Sequence, residues 1–218
     1  PIDGTRPLMY DIDSAYILTG IAPNLGEKTS LNDIEIAIQT EIPTTKQYIS
    51  DFMYAIRNGE PVIEEWDIIN KRKIGERKPS PSRAKNIEHG FAVFVSFFRG
   101  GKDIISKLEE DLYREILGEI KTGKADVFDH QYISSAGQLA HLINGKYRFV
   151  ADLRPWTERF LKSLGLCAHP YDLCTKLIAE KAGIIITDLY GKPLNAPLDT
   201  ETNICLLYTS PSPRDLST

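Results

Sequence analysis

Residues 91–98 (Phe-Ala-Val-Phe-Val-Ser-Phe-Phe) give the strongest buried-strand signal in the chain, and they limit its fold more than any other stretch. A short, nearly continuous apolar run closed by Arg99-Gly100-Gly101 is the pattern of a strand covered by other elements. Directly after it, Ile104, Ile105, Leu108, Leu112 and Ile116 recur at helical spacing over residues 103–117. Lys107, Glu110 and Arg114 mark the solvated face of that helix, and Gly118 or Gly123 would stop it. A buried strand feeding an amphipathic helix points to a mixed α/β chain.

The same alternation runs on both sides. Strands are expected at residues 15–22, 34–39, 47–57, 127–133, 146–151 and 184–187, and helices after Ser134-Ser135 and over residues 173–182, with Gly183 as the stop. Residues 60–86 are the least regular stretch. Their basic core, residues 71–83, carries two prolines and few apolar residues and reads as a solvated loop. His141 falls on a helix with no Cys, His or carboxylate pattern around it in sequence and reads as a surface or core histidine.

Length and composition fit one ordinary globular domain: 218 residues, 42% hydrophobic and 26% charged. A net charge of −4 without a basic run argues against nucleic acid and anionic membranes as partners. Three widely spaced cysteines make neither a disulfide framework nor a zinc pattern, and Cys174 reads as a core residue. With no signal peptide and no apolar run near 18 residues in length, a soluble cytoplasmic protein is expected.

Two short motifs carry chemistry. In Pro1-Ile2-Asp3-Gly4-Thr5, Ile2 would finish a strand, Asp3 would project a carboxylate from its end, Gly4 would allow a tight turn, and Thr5 would offer a hydroxyl and an N–H at a helix start. A divalent cation needs hard oxygen ligands, and a phosphate needs N–H donors; this turn offers both. Far downstream, His169-Pro170-Tyr171-Asp172 opens a helix that ends at Ala182-Gly183 before the strand Ile-Ile-Ile-Thr and Asp188, followed by Gly191-Lys192-Pro193.

The first motif resembles the Asp-Pro-Ile-Asp-Gly-Thr sequence of the inositol monophosphatase family, and the second resembles that family's aromatic-Asp helix start. The resemblance covers residues 1–204. It implies a layered α/β/α/β/α sugar-phosphatase sandwich and a magnesium-dependent, lithium-sensitive phosphate monoester hydrolase. The substrate would be a small phosphorylated polyol, sugar or nucleotide, attacked by metal-activated water. It further implies Asp3, Asp172 and the backbone carbonyl of Ile2 as ligands for Mg2+, and Thr5 as the residue that orients the attacking water. The N–H groups of Gly4 and Thr5 would hold the phosphate. Asp152 falls where the family binds substrate hydroxyls, and Ser135 and Ala136 match a small-residue pair near the substrate. Family members are often dimers, so a homodimer is expected.

The chain departs from the family pattern in three places. It begins one residue after the motif's first Asp, so the sequence reads as an amino-terminally truncated fragment that lacks ligands and is itself inactive. Residues 154–168 read as an insertion whose Trp156 and Phe160 would cover the site entrance. Residues 205–218, with Ser-Pro-Ser-Pro, change character and read as a non-native or disordered tail outside the fold. Two other readings stand beside the phosphatase. Asp11-Ile12-Asp13 is an Asp-x-Asp pair of the kind that holds a metal in some sugar-nucleotide transferases, and a non-catalytic binding module could retain the fold without turnover.

Overall fold

The computed structural model describes residues 1–130, 132–161 and 165–211. A first sheet contains β1 (Ile2–Asp3), β2 (Ala15–Ile21), β3 (Ile36–Ile42), β4 (Ile49–Ile56), β5 (Val62–Asp67) and β6 (Arg72–Arg77). It is an antiparallel meander in which each strand pairs with its neighbours in sequence. The period of two sends Leu18, Ala37, Met53, Ala55 and Ile63 to a buried face, while Ile17, Ile21 and Ile56 point outward and are exposed.

The hairpin β5–β6 corrects the expectation of a loop at residues 72–77, while residues 78–83 lie outside any helix or strand as expected. Lys73 pairs with Glu64 and Glu76, and Arg77 pairs with Asp51 and Glu65. Lys73 meets Glu76 along β6, while the pairs with Glu64, Glu65 and Asp51 reach across strands, where they stabilise an edge. Asp67 closes the turn by accepting from the N–H groups of Ile69 and Asn70.

The second sheet contains β7 (Gly90–Phe94), β8 (Val127–Phe128), β9 (Tyr147–Asp152), β10 (Ile185–Thr187) and β11 (Leu206–Thr209) in the order β10-β11-β9-β7-β8. β7 runs parallel to both β8 and β9, and β11 runs antiparallel to both of its neighbours. The parallel pairs need crossovers, which α2 (Lys102–Leu117) and α3 (Ser135–Ile143) supply. α2 packs Ile105 against Phe94 and Ala151 on the outer face of this sheet. α3 and α4 (Lys176–Lys181) lie between the two sheets, where Leu139, Leu142, Leu177 and Ile178 share one core with Leu18, Met53, Val150 and Tyr208.

The architecture is therefore a mixed α/β sandwich with the layers sheet, helices, sheet, helix. Among the described residues, no second outer helical layer covers the first sheet. No helix among them is long and apolar enough to cross a membrane.

Three expected elements are shorter than the sequence pattern suggested. β7 stops at Phe94, and although the Val95 N–H still bonds Ala151 O, Phe97 and Phe98 leave the sheet and pack on Tyr132. β8 covers only the first two residues of its expected span, with Gln131 outside the described residues. The helix expected from Asp172 is a 3-10 turn, Pro170–Leu173, followed after Cys174 and Thr175 by α4. Asp172 sits at its third position and folds back onto the His169 N–H, which tightens the turn.

For residues 206–210 the structure differs from the expected disordered tail. β11 lies between β9 and β10, Leu206 and Tyr208 are buried, and the Ser210 hydroxyl donates to Tyr147 O. The change in composition hid a plain inward-outward alternation at Leu206, Leu207 and Tyr208. Residues 212–218 of the expected tail lie outside the described residues.

Candidate functional site

Local chemistry builds the first half of the site. β1 ends at Asp3, and Gly4 turns the chain at φ 89° into α1 (Thr5–Met9). A Cβ at Gly4 would lie 2.9 Å from Ser134 Oγ and 3.1 Å from Ser14 O and Ala15 Cα, so both backbone conformation and space require glycine here. Gly4→Ala should destabilise the protein by about 2 kcal/mol or more, since strain and collision add; a denaturation curve unchanged from wild type would refute this packing.

Asp3 is oriented across the molecule by α3. The Ala136 N–H donates to Asp3 Oδ2 at 2.8 Å, from the first turn of a helix that Ser134 caps by accepting from the Gly137 N–H. Burial raises the Asp3 carboxyl above its ordinary range, against the lowering effect of the Ala136 and Gly4 N–H groups.

Asp172 supplies the second carboxylate. Its Oδ2 accepts from the His169 N–H at 3.0 Å, and the rings of His169 and Tyr171 stack with centroids 5.1 Å apart. Burial, reinforced by the negative charge of Asp3, pushes its pKa up to about 6. A buried link ties both halves to β3: Gln39 donates to Ala136 O at 2.8 Å and accepts from the Thr175 hydroxyl at 2.9 Å.

Asp3 and Asp172 line one cleft of about 270 Å³, together with Ile2, Gly4, Thr5 and Ser135. The structure thus brings together six of the eight expected site residues. The other two are placed differently. Ala136 is fully buried, and its N–H serves Asp3. Asp152 is also fully buried and holds Arg154, with Nε to Oδ1 at 2.8 Å and a second contact to Oδ2 at 2.5 Å. A buried carboxylate needs a cationic partner, so the group presented to the cleft from this strand end is Arg154, in place of the expected Asp152.

Arg154, Phe97, Phe98 and Tyr132 were missed as site residues. The Arg154 guanidinium lies 5.4 Å from the Phe97 ring centre and 5.6 Å from that of Phe98, and Arg6 lies 5.9 Å from Phe98. These aromatic residues form the wall of the cleft; Trp156 and Phe160 pack on each other and do not line it. The Asp-x-Asp pair is split: Asp11 caps the Thr45 N–H and hydroxyl, while Asp13 faces His130. A transferase metal site built on both carboxylates therefore finds no shared location.

No protein-family model matches the chain, and no curated protein matches it. Among solved structures it is similar to Leishmania major fructose-1,6-bisphosphatase in its holo form, with a TM-score of 0.61 and 13% identity, over 99% of this chain and 65% of that one. It is also similar to a hypothetical Pyrococcus horikoshii protein described as having similarities to inositol-1 monophosphatase, with a TM-score of 0.56 and 16% identity, over 96% of this chain and 62% of that one. The chain thus spans less than two thirds of the length of either neighbour, and at these identities the likeness is one of fold.

Proposed function

We propose that this chain carries the site of a magnesium-dependent phosphate monoester hydrolase acting on a small phosphorylated polyol, sugar or nucleotide. The observation that carries this reading is the convergence of Asp3 and Asp172, distant in sequence, on one cleft in which both carboxyl pKa values are raised. Two partly buried carboxylates, both costly to ionise through burial and one further raised by the other's charge, fit a divalent cation, which would relieve that cost. Hard oxygen donors are the ligand type magnesium takes, and one oxygen of each carboxylate is already held in direction by a backbone N–H.

In this reading Asp3, Asp172 and the Ile2 carbonyl hold Mg2+. Bound magnesium would supply a water of lowered pKa and charge neutralisation on the phosphoryl oxygens. Thr5, at the exposed start of α1, orients the attacking water, and the N–H groups of Gly4 and Thr5 receive phosphate oxygens. Ser135 lies beside the leaving group. Arg154, held by Asp152 and backed by Phe97 and Phe98, and Arg6 give the cleft the positive charge that an anionic substrate needs. The fold neighbours, a fructose-1,6-bisphosphatase and a protein with similarities to inositol-1 monophosphatase, support a phosphatase over a binding module.

The test is phosphate release from a panel of sugar, inositol and nucleotide phosphates, measured with this protein. Release should require magnesium and should fall by at least a hundredfold in Asp3→Asn. Magnesium-independent release, or an Asp3→Asn protein with full turnover, would remove the assignment.

A further inference from the structure

We propose that Asp13, His130 and His141 form a second metal site, suited to zinc or another borderline first-row ion and separate from the Asp3–Asp172 cleft. The three come from different parts of the chain: Asp13 precedes β2, His130 lies between β8 and α3, and His141 is on α3. Each offers one ligand atom, and these atoms all lie within 4.8 Å of one another. None of the three lines the cleft that holds Asp3 and Asp172.

The distances suit a small ion. His130 Nε2 lies 3.4 Å from Asp13 Oδ2. Two ligands of a tetrahedral zinc with bonds near 2.0–2.1 Å stand roughly 3.3 Å apart. The His141 ring lies against His130 with centroids 5.9 Å apart and planes 21° from parallel, and a modest side-chain rotation would close the third edge. An ion pair between Asp13 and His130 would explain two of these groups and leave His141 unexplained.

The surroundings also match a ligating histidine. His130 Nδ1 is engaged by the Tyr147 hydroxyl, which fixes the ring and turns Nε2 toward Asp13. Tyr147 packs edge-on against His141 as well, at 4.8 Å, so one side chain sets both imidazoles. This is the outer-shell support that metal-binding histidines usually have. Two imidazoles and one carboxylate select zinc, cobalt or nickel, whereas magnesium prefers oxygen ligands alone.

The experiment uses the full chain carrying Asp172→Asn, so that zinc cannot report from the other cleft. Equilibrium dialysis should find one equivalent of Zn2+ per chain, cobalt should give visible absorption bands of a nitrogen-ligated ion, and zinc but not magnesium should raise the thermal midpoint. Adding His130→Gln or Asp13→Asn should lower zinc affinity at least tenfold and abolish the midpoint rise, and Tyr147→Phe should lower affinity by about tenfold through loss of the orienting hydroxyl. His130 is partly exposed, so the metal-free midpoint of its variant should match the parent and confirm folding. Zinc uptake that is absent from the Asp172→Asn chain, or undiminished in the Asp13→Asn/His130→Gln double variant, would overturn the proposal.

Discussion

Asp172→Asn should raise the thermal midpoint of the metal-free chain at pH 8 and erase its stabilisation by magnesium. The Asp172 carboxyl is pushed up to about 6 from an ordinary value of 3.8, chiefly by burial, so ionising it opposes folding. Its contribution to stability is therefore fully favourable below about pH 4, fades as pH rises through about 6, and is lost at pH 8. A shift of this size corresponds to about 3 kcal/mol as an upper bound, or roughly 6–12 °C in a domain of this size. Asn keeps an oxygen to accept from the His169 N–H and removes the charge. Melting curves at pH 3.5 and pH 8, with and without magnesium, decide the matter. Wild type and variant should converge at the low pH and separate at the high one. A variant less stable at pH 8 would show that the ionised carboxylate does not oppose folding, and one still stabilised by magnesium to the full wild-type extent would show that Asp172 is no metal ligand.

Tyr208 should divide its effects by substituent. The side chain is fully buried in the core, and its hydroxyl has no hydrogen-bond partner among the described residues. Tyr208→Phe removes that buried polar atom and should stabilise the protein by about 1 kcal/mol. Tyr208→Ala empties the centre of the second sheet and should cost about 3–5 kcal/mol, enough to unfold much of the population of a marginal domain. Denaturant titrations of the two variants check both signs. A neutral Tyr208→Ala would mean that β11 does not belong to the sheet.

How much of this was legible depended on whether the cause was local. The turn at Asp3-Gly4-Thr5 could be read because a left-handed glycine after a strand is a local requirement, and Gly4 adopts φ 89° as expected. The pairing of Asp3 with Asp172 came from motif resemblance, since nothing in the spacing of the two residues places them together. Arg154 was visible as a neighbour of Asp152, but which of the two reaches the cleft depends on burial, and Asp152 is the one enclosed. Phe97 and Phe98 were absorbed into a core strand because an apolar run does not say where pairing stops. β6 was lost to its charges, whose partners Glu64, Glu65 and Asp51 lie on other strands. His141 gave no signal because Asp13 and His130 reach it only through the tertiary fold.

The position of β11 bears on the order in which this protein can acquire structure. The first sheet joins strands adjacent in sequence, so its contacts close short loops and form early as the chain is synthesised. The second sheet cannot bridge β9 to β10 until residues 206–209 have emerged, because those residues are the strand between them. Until then the edges of β9 and β10 stay unpaired and the apolar faces that Leu206 and Tyr208 will cover stay wet, an interval of aggregation risk in which a holding chaperone has something to bind. Asp3 hangs from the early sheet, while Asp172 lies in the segment between β9 and β10. The second carboxylate thus reaches the first only after the segment carrying Asp172 has emerged, and a nascent chain carries its first motif long before it carries a site.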